Sequence, residues 1–189
     1  MKSNLIPAVR MTAVMLVLCS VLYTLVVLGF AKAVTPTGGS VALVTRDGTA
    51  VGGANVGQSF TGDHYFQGRA SAVDYDGAGS GGSNHGPTNP DHLADVQARI
   101  DSFLVHNPAV AKADIPSELV TASGSGLDPD MSPGGARIQA KRIAQARMIP
   151  EEAVLALIDK HTHGPLLGLF GPSTVNILEL NLALDALKN

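Results

Sequence analysis

Two carboxylates two residues apart, Asp128 and Asp130 in the stretch GLDPD, are the nearest approach to an acid–base pair in this chain. Paired acids divide general-acid and general-base work when one holds its proton and the other is ionised. Asp beside Pro in a glycine-rich stretch is, however, the usual composition of a turn or a helix cap, and that reading is preferred for both. His161 and His163 offer two imidazoles to a metal. Side chains two apart diverge on a helix, and no HExxH motif or cysteine partner completes a site. At a helix C-terminus, imidazolium facing the negative end of the dipole is the better account of them.

Phosphate chemistry fares no better. Gly77, Gly79 and Gly82 match GxGxxG, but that turn must join a strand to a helix, and here Asn84, His85, Gly86 and Pro87 follow. No Gly-Lys pair supplies a P-loop lysine. The run Asp159-Lys160-His161-Thr162-His163-Gly164 faintly resembles the DKTGT phosphorylation motif of P-type pumps, yet its spacing disagrees, so no aspartyl-phosphate is expected. The serines of SGSG lack a GxSxG elbow. No catalytic residue, metal ligand or cofactor is therefore expected.

The elements that would position any of these residues begin in the membrane. From Met11 to Ala31 the chain carries no charged side chain, and at 1.5 Å per residue such a helix spans about 31 Å, the thickness of the hydrocarbon core. Its Val, Leu and Phe residues contribute on the order of −3 to −6 kcal/mol to insertion. A cleaved signal peptide is the rival, because Lys2 and Arg10 form a basic leader and Ala31-Lys32-Ala33 resembles a cleavage site. The apolar run is too long for a signal core, so retention as an anchor is preferred. Lys2 and Arg10 precede the helix, whereas Lys32 follows it and Arg46 is countered by Asp47. The expected organisation is a cytoplasmic segment 1–10, a transmembrane helix 11–31 and an extracytoplasmic domain 32–189.

Setting aside Lys2, Arg10 and Lys32, ten basic residues face sixteen acidic ones, a balance that argues against nucleic acid as a partner. The single cysteine, Cys19, lies in the membrane run, so the domain has no disulfide and must rest on its core. With no Trp, three Tyr and five Phe, that core is aliphatic. Val41–Thr45 and Ala54–Phe60 read as strands. Residues 65–89 are glycine-rich and aperiodic, which ordinarily predicts a flexible loop. Thr88 or Asn89 can cap a helix that Pro90 begins and that ends near Asn107 and Pro108, and after a second glycine-rich stretch (121–133) Ser132 and Pro133 start another. On that one, Arg137, Lys141, Arg142 and Arg147 mark a solvated or docking face. A third helix runs from Pro150 to about His161. Val175–Leu187 alternates as a strand and also repeats as a helix, and its length favours the helix. The fold class is α+β, with one N-terminal transmembrane helix followed by one extracytoplasmic domain.

Four motifs in order are too specific in wording for linker: YFQGRASA (65–72), SGGSNHGPTNP (80–90), LVTASGSGLDP (119–129) and VNILELNLALD (175–185). Together, behind the same N-terminal helix, they resemble the C subunit of the Kdp potassium-transporting ATPase over essentially the whole chain. That family usually has a leucine-like residue where His85 stands and a basic or polar one at Asp130, so neither is given a role.

The resemblance implies a complex with a potassium-channel-like subunit, a phosphorylated P-type ATPase subunit and a small helical peptide, in contact with membrane lipid at the bacterial inner membrane. Hydrolysis then belongs to another subunit, and this one is a non-catalytic accessory. The family is described as a catalytic chaperone raising ATP affinity, with ATP binding implied. A domain outside the cytoplasm meets no ATP pool, so any such effect is expected to be allosteric rather than by direct contact. Phe66, Arg69, Ser83, Asn84, Gly86, Asn89, Ser123, Ser125, Asp128, Glu179 and Asn181 become candidate docking or packing residues, with loops that fold on themselves as the other reading. The alternatives from other classes are a periplasmic hydrolase using Asp128, Asp130 or His161, and a secreted binding module cleaved at Ala33.

Overall fold

The computed structural model describes residues 4–187; Lys2, one of the basic flanking residues, lies outside the described residues. The chain divides between Ala42 and Leu43 into two units. The first is a helix running from Leu5 to Val34, longer at both ends than the uncharged run and apolar enough to cross a membrane. Two α-helical halves, α1 (Leu5–Leu16) and α2 (Tyr23–Val34), flank a π-helical stretch over Val17–Leu22, where the Tyr23 N–H reaches back five residues to the Leu18 carbonyl.

The second unit opens with a hairpin of β1 (Leu43–Arg46) and β2 (Thr49–Gly53), paired antiparallel with a bulge between Val44 and Thr45. Its turn is Asp47-Gly48, both at positive φ (50° and 80°), the backbone that a two-residue hairpin requires. The second strand is thus earlier than the expected Ala54–Phe60. That segment instead leaves the hairpin through a turn, Val56 N–H to the Gly53 carbonyl, and Gly57 then donates to the Leu127 carbonyl at 2.7 Å. A Cβ on Gly57 would sit 2.6 Å from the Asp128 carbonyl oxygen, so only glycine allows this approach.

Helix α3 (Pro90–His106) begins where expected: Asn89 Oδ1 accepts from the N–H groups of Asp91 and His92, with Pro90 in the first turn. A one-turn helix α4 (Ser117–Val120) follows. The helix started by Ser132, whose Oγ accepts from the Gly135 N–H, comes in two pieces, α5 (Pro133–Arg137) and α6 (Ala140–Arg147). Helix α7 (Glu151–Lys160) carries Glu151 and Glu152 in its first turn, where the dipole favours acid.

Between these helices lies a small antiparallel sheet of β3 (Asp130–Met131), β5 (Thr174–Asn176) and β4 (Thr162–His163), with β5 in the centre. The last segment uses both of its periodicities. Thr174–Asn176 is strand, and α8 (Ile177–Ala186) is helix, capped by Asn176 Oδ1 accepting from the Glu179 N–H. Burial of Ile177, Leu178, Leu180, Asn181 and Leu184 follows a helical face. The core is aliphatic, as the composition demands: Ile143, Val154, Ile158, Val175, Leu180 and Leu184 close around a single fully buried aromatic, Phe66. Each such side chain contributes roughly 1.5–3 kcal/mol.

Candidate functional site

Residues 65–69, YFQGR, form no strand, yet their backbone is held by side chains from α6 and α8 and from the short connection before α6. Asn181, buried on α8, accepts from the Phe66 N–H at 2.8 Å and donates to the Phe66 carbonyl at 3.0 Å. Gln139, fully buried, does the same one residue on, accepting from Gln67 N–H at 2.9 Å and donating to its carbonyl at 3.1 Å. Two amide side chains thus stand where a neighbouring strand would. They satisfy groups that could not otherwise be buried.

Arg142 completes the holding. Its guanidinium donates to the carbonyls of Asp63 (2.6 Å) and Tyr65 (3.1 Å), to Asn107 Oδ1 (3.0 Å) and to Gln139 Oε1 (2.7 Å). Arg142 is 7% exposed, and Arg147 donates to the His64 carbonyl and to Asp185. The expected basic face is therefore not a solvated surface: Arg137 and Lys141 are exposed, but Arg142 and Arg147 turn under the loop that covers them. Asp185 gathers three donors, Arg147 (2.6 Å), Arg46 (2.7 Å) and the Tyr65 hydroxyl (3.0 Å). Burial raises its carboxyl, but these hydrogen bonds and the Arg147 charge outweigh that and hold it below the usual carboxylate range.

Beyond Arg69 the two glycine-rich stretches dock on each other. The Ser123 N–H donates to the Ala70 carbonyl at 2.9 Å, Gly81 N–H and Ser80 Oγ both donate to the Ser125 carbonyl, and Arg69 meets Asp128 at 2.6 Å. The Tyr75 hydroxyl donates to the Arg69 carbonyl at 2.6 Å. At Gly126 (φ 69°) a Cβ would strike Val73 at 2.5 Å and the Gly81 carbonyl at 2.8 Å, so the close approach depends on glycine. Residues 65–82 are therefore not the free loop their composition predicts. Their order comes from partners that run from Ser125, 44 residues beyond Gly81, to Asp185, 120 beyond Tyr65.

The structure brings together Phe66, Arg69, Ser123, Ser125, Asp128 and Asn181 at this seam. Glu179 joins it through its N–H on Asn176, which itself donates to the Ala54 carbonyl. Ser83, Asn84 (φ 54°) and Gly86 lie apart, on an exposed turn before α3, which Asn89 caps. Gln139, Arg142, Asn107 and Asp185 were missed as partners of the YFQGR segment. A Gln between Ile138 and Ala140 on a helix connection was the one available signal, since a polar side chain among apolar neighbours needs a partner.

Chemically, the seam offers a cleft of about 310 Å³ lined by Arg69, Glu118, Asp128, Asp130, Ser132 and Thr174. Most of its groups are already engaged: Glu118 takes the Ser132 hydroxyl and N–H, and Asp128 takes the Arg69 Nη1 and the Asp130 N–H, while Arg69 Nε is buried without a hydrogen-bond partner. Among the described residues no group of three or more His, Cys, Asp or Glu is placed to hold a metal. Burial pushes the Asp130 carboxyl above its ordinary value, and the Asp128 charge adds to this, against a hydrogen bond with Asn176. Because the folded value is raised, ionisation at neutral pH opposes folding, and that loss disappears as pH falls toward the unfolded value. Asp130→Asn is expected to raise the melting temperature of the detergent-solubilised chain by about 1–3 °C at pH 7 and by nothing measurable at pH 3.5, read by circular dichroism.

A family model described as K+-transporting ATPase, c chain, matches residues 5–186. Curated relatives are similar over nearly their full length. A potassium-transporting ATPase KdpC subunit of Bacteroides fragilis (strain YCH46) is 51% identical over 188 residues, covering 98% of each chain. Its counterpart in Bacteroides thetaiotaomicron is 48% identical, covering 98% of this chain and 99% of its own. The KdpC subunit of Caldanaerobacter subterraneus subsp. tengcongensis is 43% identical over 176 residues, 93% of this chain and 91% of its own.

Proposed function

From the premise that the chain belongs to the KdpC family, the c chain of K+-transporting ATPases, we propose that it is a non-catalytic accessory subunit that assembles and stabilises a bacterial potassium pump. The observation that carries this is the near-full-length relationship to potassium-transporting ATPase KdpC subunits. Its partners are a channel-like subunit, a P-type ATPase subunit that hydrolyses ATP, and a small helical subunit. The chain is a single-pass protein of the inner membrane with its N-terminus cytoplasmic and its domain outside; the support is Arg10 and Lys2 ahead of the apolar run. Any influence on ATP affinity is then transmitted through the membrane helices, since the domain meets no ATP.

The exposed turn carrying Ser83, Asn84 and Gly86 is the docking part of the motifs, and Phe66, Arg69, Ser123, Asp128 and Asn181 are the packing part. The engagement of Asp128 by Arg69 and of Glu118 by Ser132 supports a structural role over hydrolysis. Capture of a C-terminally tagged chain from potassium-starved cells in mild detergent is expected to recover a P-type ATPase and a channel-like subunit, with the helix attached by intact mass. Recovery of the chain alone, or of a form shortened at Ala33, overturns the proposal. Asp128→Asn, Asp130→Asn and His161→Gln are expected to leave per-complex turnover unchanged; lost turnover in an intact complex supports an enzyme instead.

A further inference from the structure

Between β4 and β5 the chain forms a second, smaller hairpin whose tip is exposed. Leu166 and Phe170 close it, the Leu166 N–H donating to the Phe170 carbonyl at 2.9 Å and the Phe170 N–H returning at 3.0 Å. Within it Leu167 and Gly168 both take positive φ, 56° and 72°. Those are the positions where a hairpin backbone favours Asn, Asp or Gly. The sequence puts leucine at the first of them, strained and 81% exposed, beside Leu169 at 81%. Leu166 and Phe170 are also mostly exposed, so the tip is four large apolar side chains in contact with solvent. A strained, exposed leucine gains nothing inside the domain, so its use lies outside the chain.

Two observations identify the occupant. From Lys160 to Leu178 there is no Asp or Glu, in a chain that has sixteen, while Lys160 and His163 stand exposed at the base of the hairpin. An apolar tip beside an exposed lysine, whose neighbour Asp159 is already paired with Arg137, is an arrangement that anionic lipid headgroups complement. Only residues 35–42 lie between the end of α2 at Val34 and β1 at Leu43, and even fully extended they reach no more than about 30 Å. A helix anchored in a membrane therefore tethers Leu43 within that reach of the helix end.

We propose that hairpin 165–170 inserts into the bilayer interface, with Leu166, Leu167, Leu169 and Phe170 at the headgroup–acyl boundary and Lys160 and His163 against lipid phosphates. The proposal rests on retention of the helix as an anchor, and holds for either orientation.

The chain contains no Trp, so Phe170→Trp creates the one indole, excited selectively at wavelengths too long for the three Tyr. The full-length variant, selected by intact mass so that loss of the anchor is a separate result, is reconstituted in vesicles of phosphatidylethanolamine and phosphatidylglycerol. Lipids brominated on the acyl chain are expected to quench its emission by half or more, and protection from aqueous acrylamide to be roughly threefold that of the detergent-free unfolded chain. Adding Leu167→Glu is expected to abolish the bromolipid quenching; Leu169→Trp repeats the test should Trp at 170 disturb the turn. Emission open to acrylamide and indifferent to bromine overturns the proposal. So does protection that arises only when the other subunits are added, which assigns the hairpin to a protein surface.

Discussion

Arg142→Ala is expected to cost about 3–5 kcal/mol, the largest loss from any single substitution outside the apolar core. The reason is the number of buried acceptors that depend on one guanidinium. Its removal orphans the carbonyls of Asp63 and Tyr65 and takes a donor from Asn107 Oδ1 and Gln139 Oε1. An unsatisfied buried acceptor costs about 1–3 kcal/mol, and the vacated side-chain volume adds to this. Relaxation of the exposed loop toward water returns part of it, which sets the upper bound. The melting temperature of the solubilised chain should fall by about 10 °C, and amide exchange at residues 62–67 should rise more than in α7. Arg142→Lys keeps the charge but not the planar fork, and should recover less than half of the loss. If Arg142→Ala melts within a degree or two of the parent, the segment is not held as described.

The second large effect is expected at Asp185. One carboxylate there receives Arg46, Tyr65 and Arg147, and Arg147 also lies over the Tyr65 ring at 5.0 Å. Asp185→Asn keeps the shape but loses the charge and one acceptor, and should cost about 2 kcal/mol; Arg46, half exposed, contributes little of that. The pH dependence separates the charge from the packing. With its folded value depressed, Asp185 stabilises above the ordinary carboxylate value of about 3.9, and that stability is lost as pH falls through the folded value. The gap in melting temperature between parent and variant should therefore be widest at pH 6–7 and narrow as the pH falls below about 4. A gap constant across that range would mean that the carboxylate charge contributes nothing.

What could be read in the sequence was local. Asn89-Pro90 and Ser132-Pro133 announce helix starts because a cap and its first turn are adjacent in the chain, and both appear in the structure. The strand at Ala54–Phe60 was misplaced because its apolar residues outweighed the stronger signal, Asp47-Gly48, which sets a hairpin of its own. The basic residues of α6 read as a face either solvated or docked because helical spacing shows which residues share a face and not what covers it. Their cover is a glycine-rich loop with no period at all. The family motifs carry no geometry: Arg69 and Asp128 are 59 residues apart, and Phe66 and Asn181 are 115. No pattern within a window reports that an amide on one helix replaces a missing strand.

That replacement also decides when the domain can close. The YFQGR segment is made early, but its holders at 139, 142, 181 and 185 are made later in the chain. At ribosomal rates of about 5–20 residues per second, the segment waits roughly 6–24 s for its final partners. Any chain cut short before α8 keeps Phe66 and its neighbouring backbone uncovered, a substrate for proteases rather than for assembly. Only a chain made through α8 can present the folded surface, so closure of the domain reports that synthesis has passed Asp185.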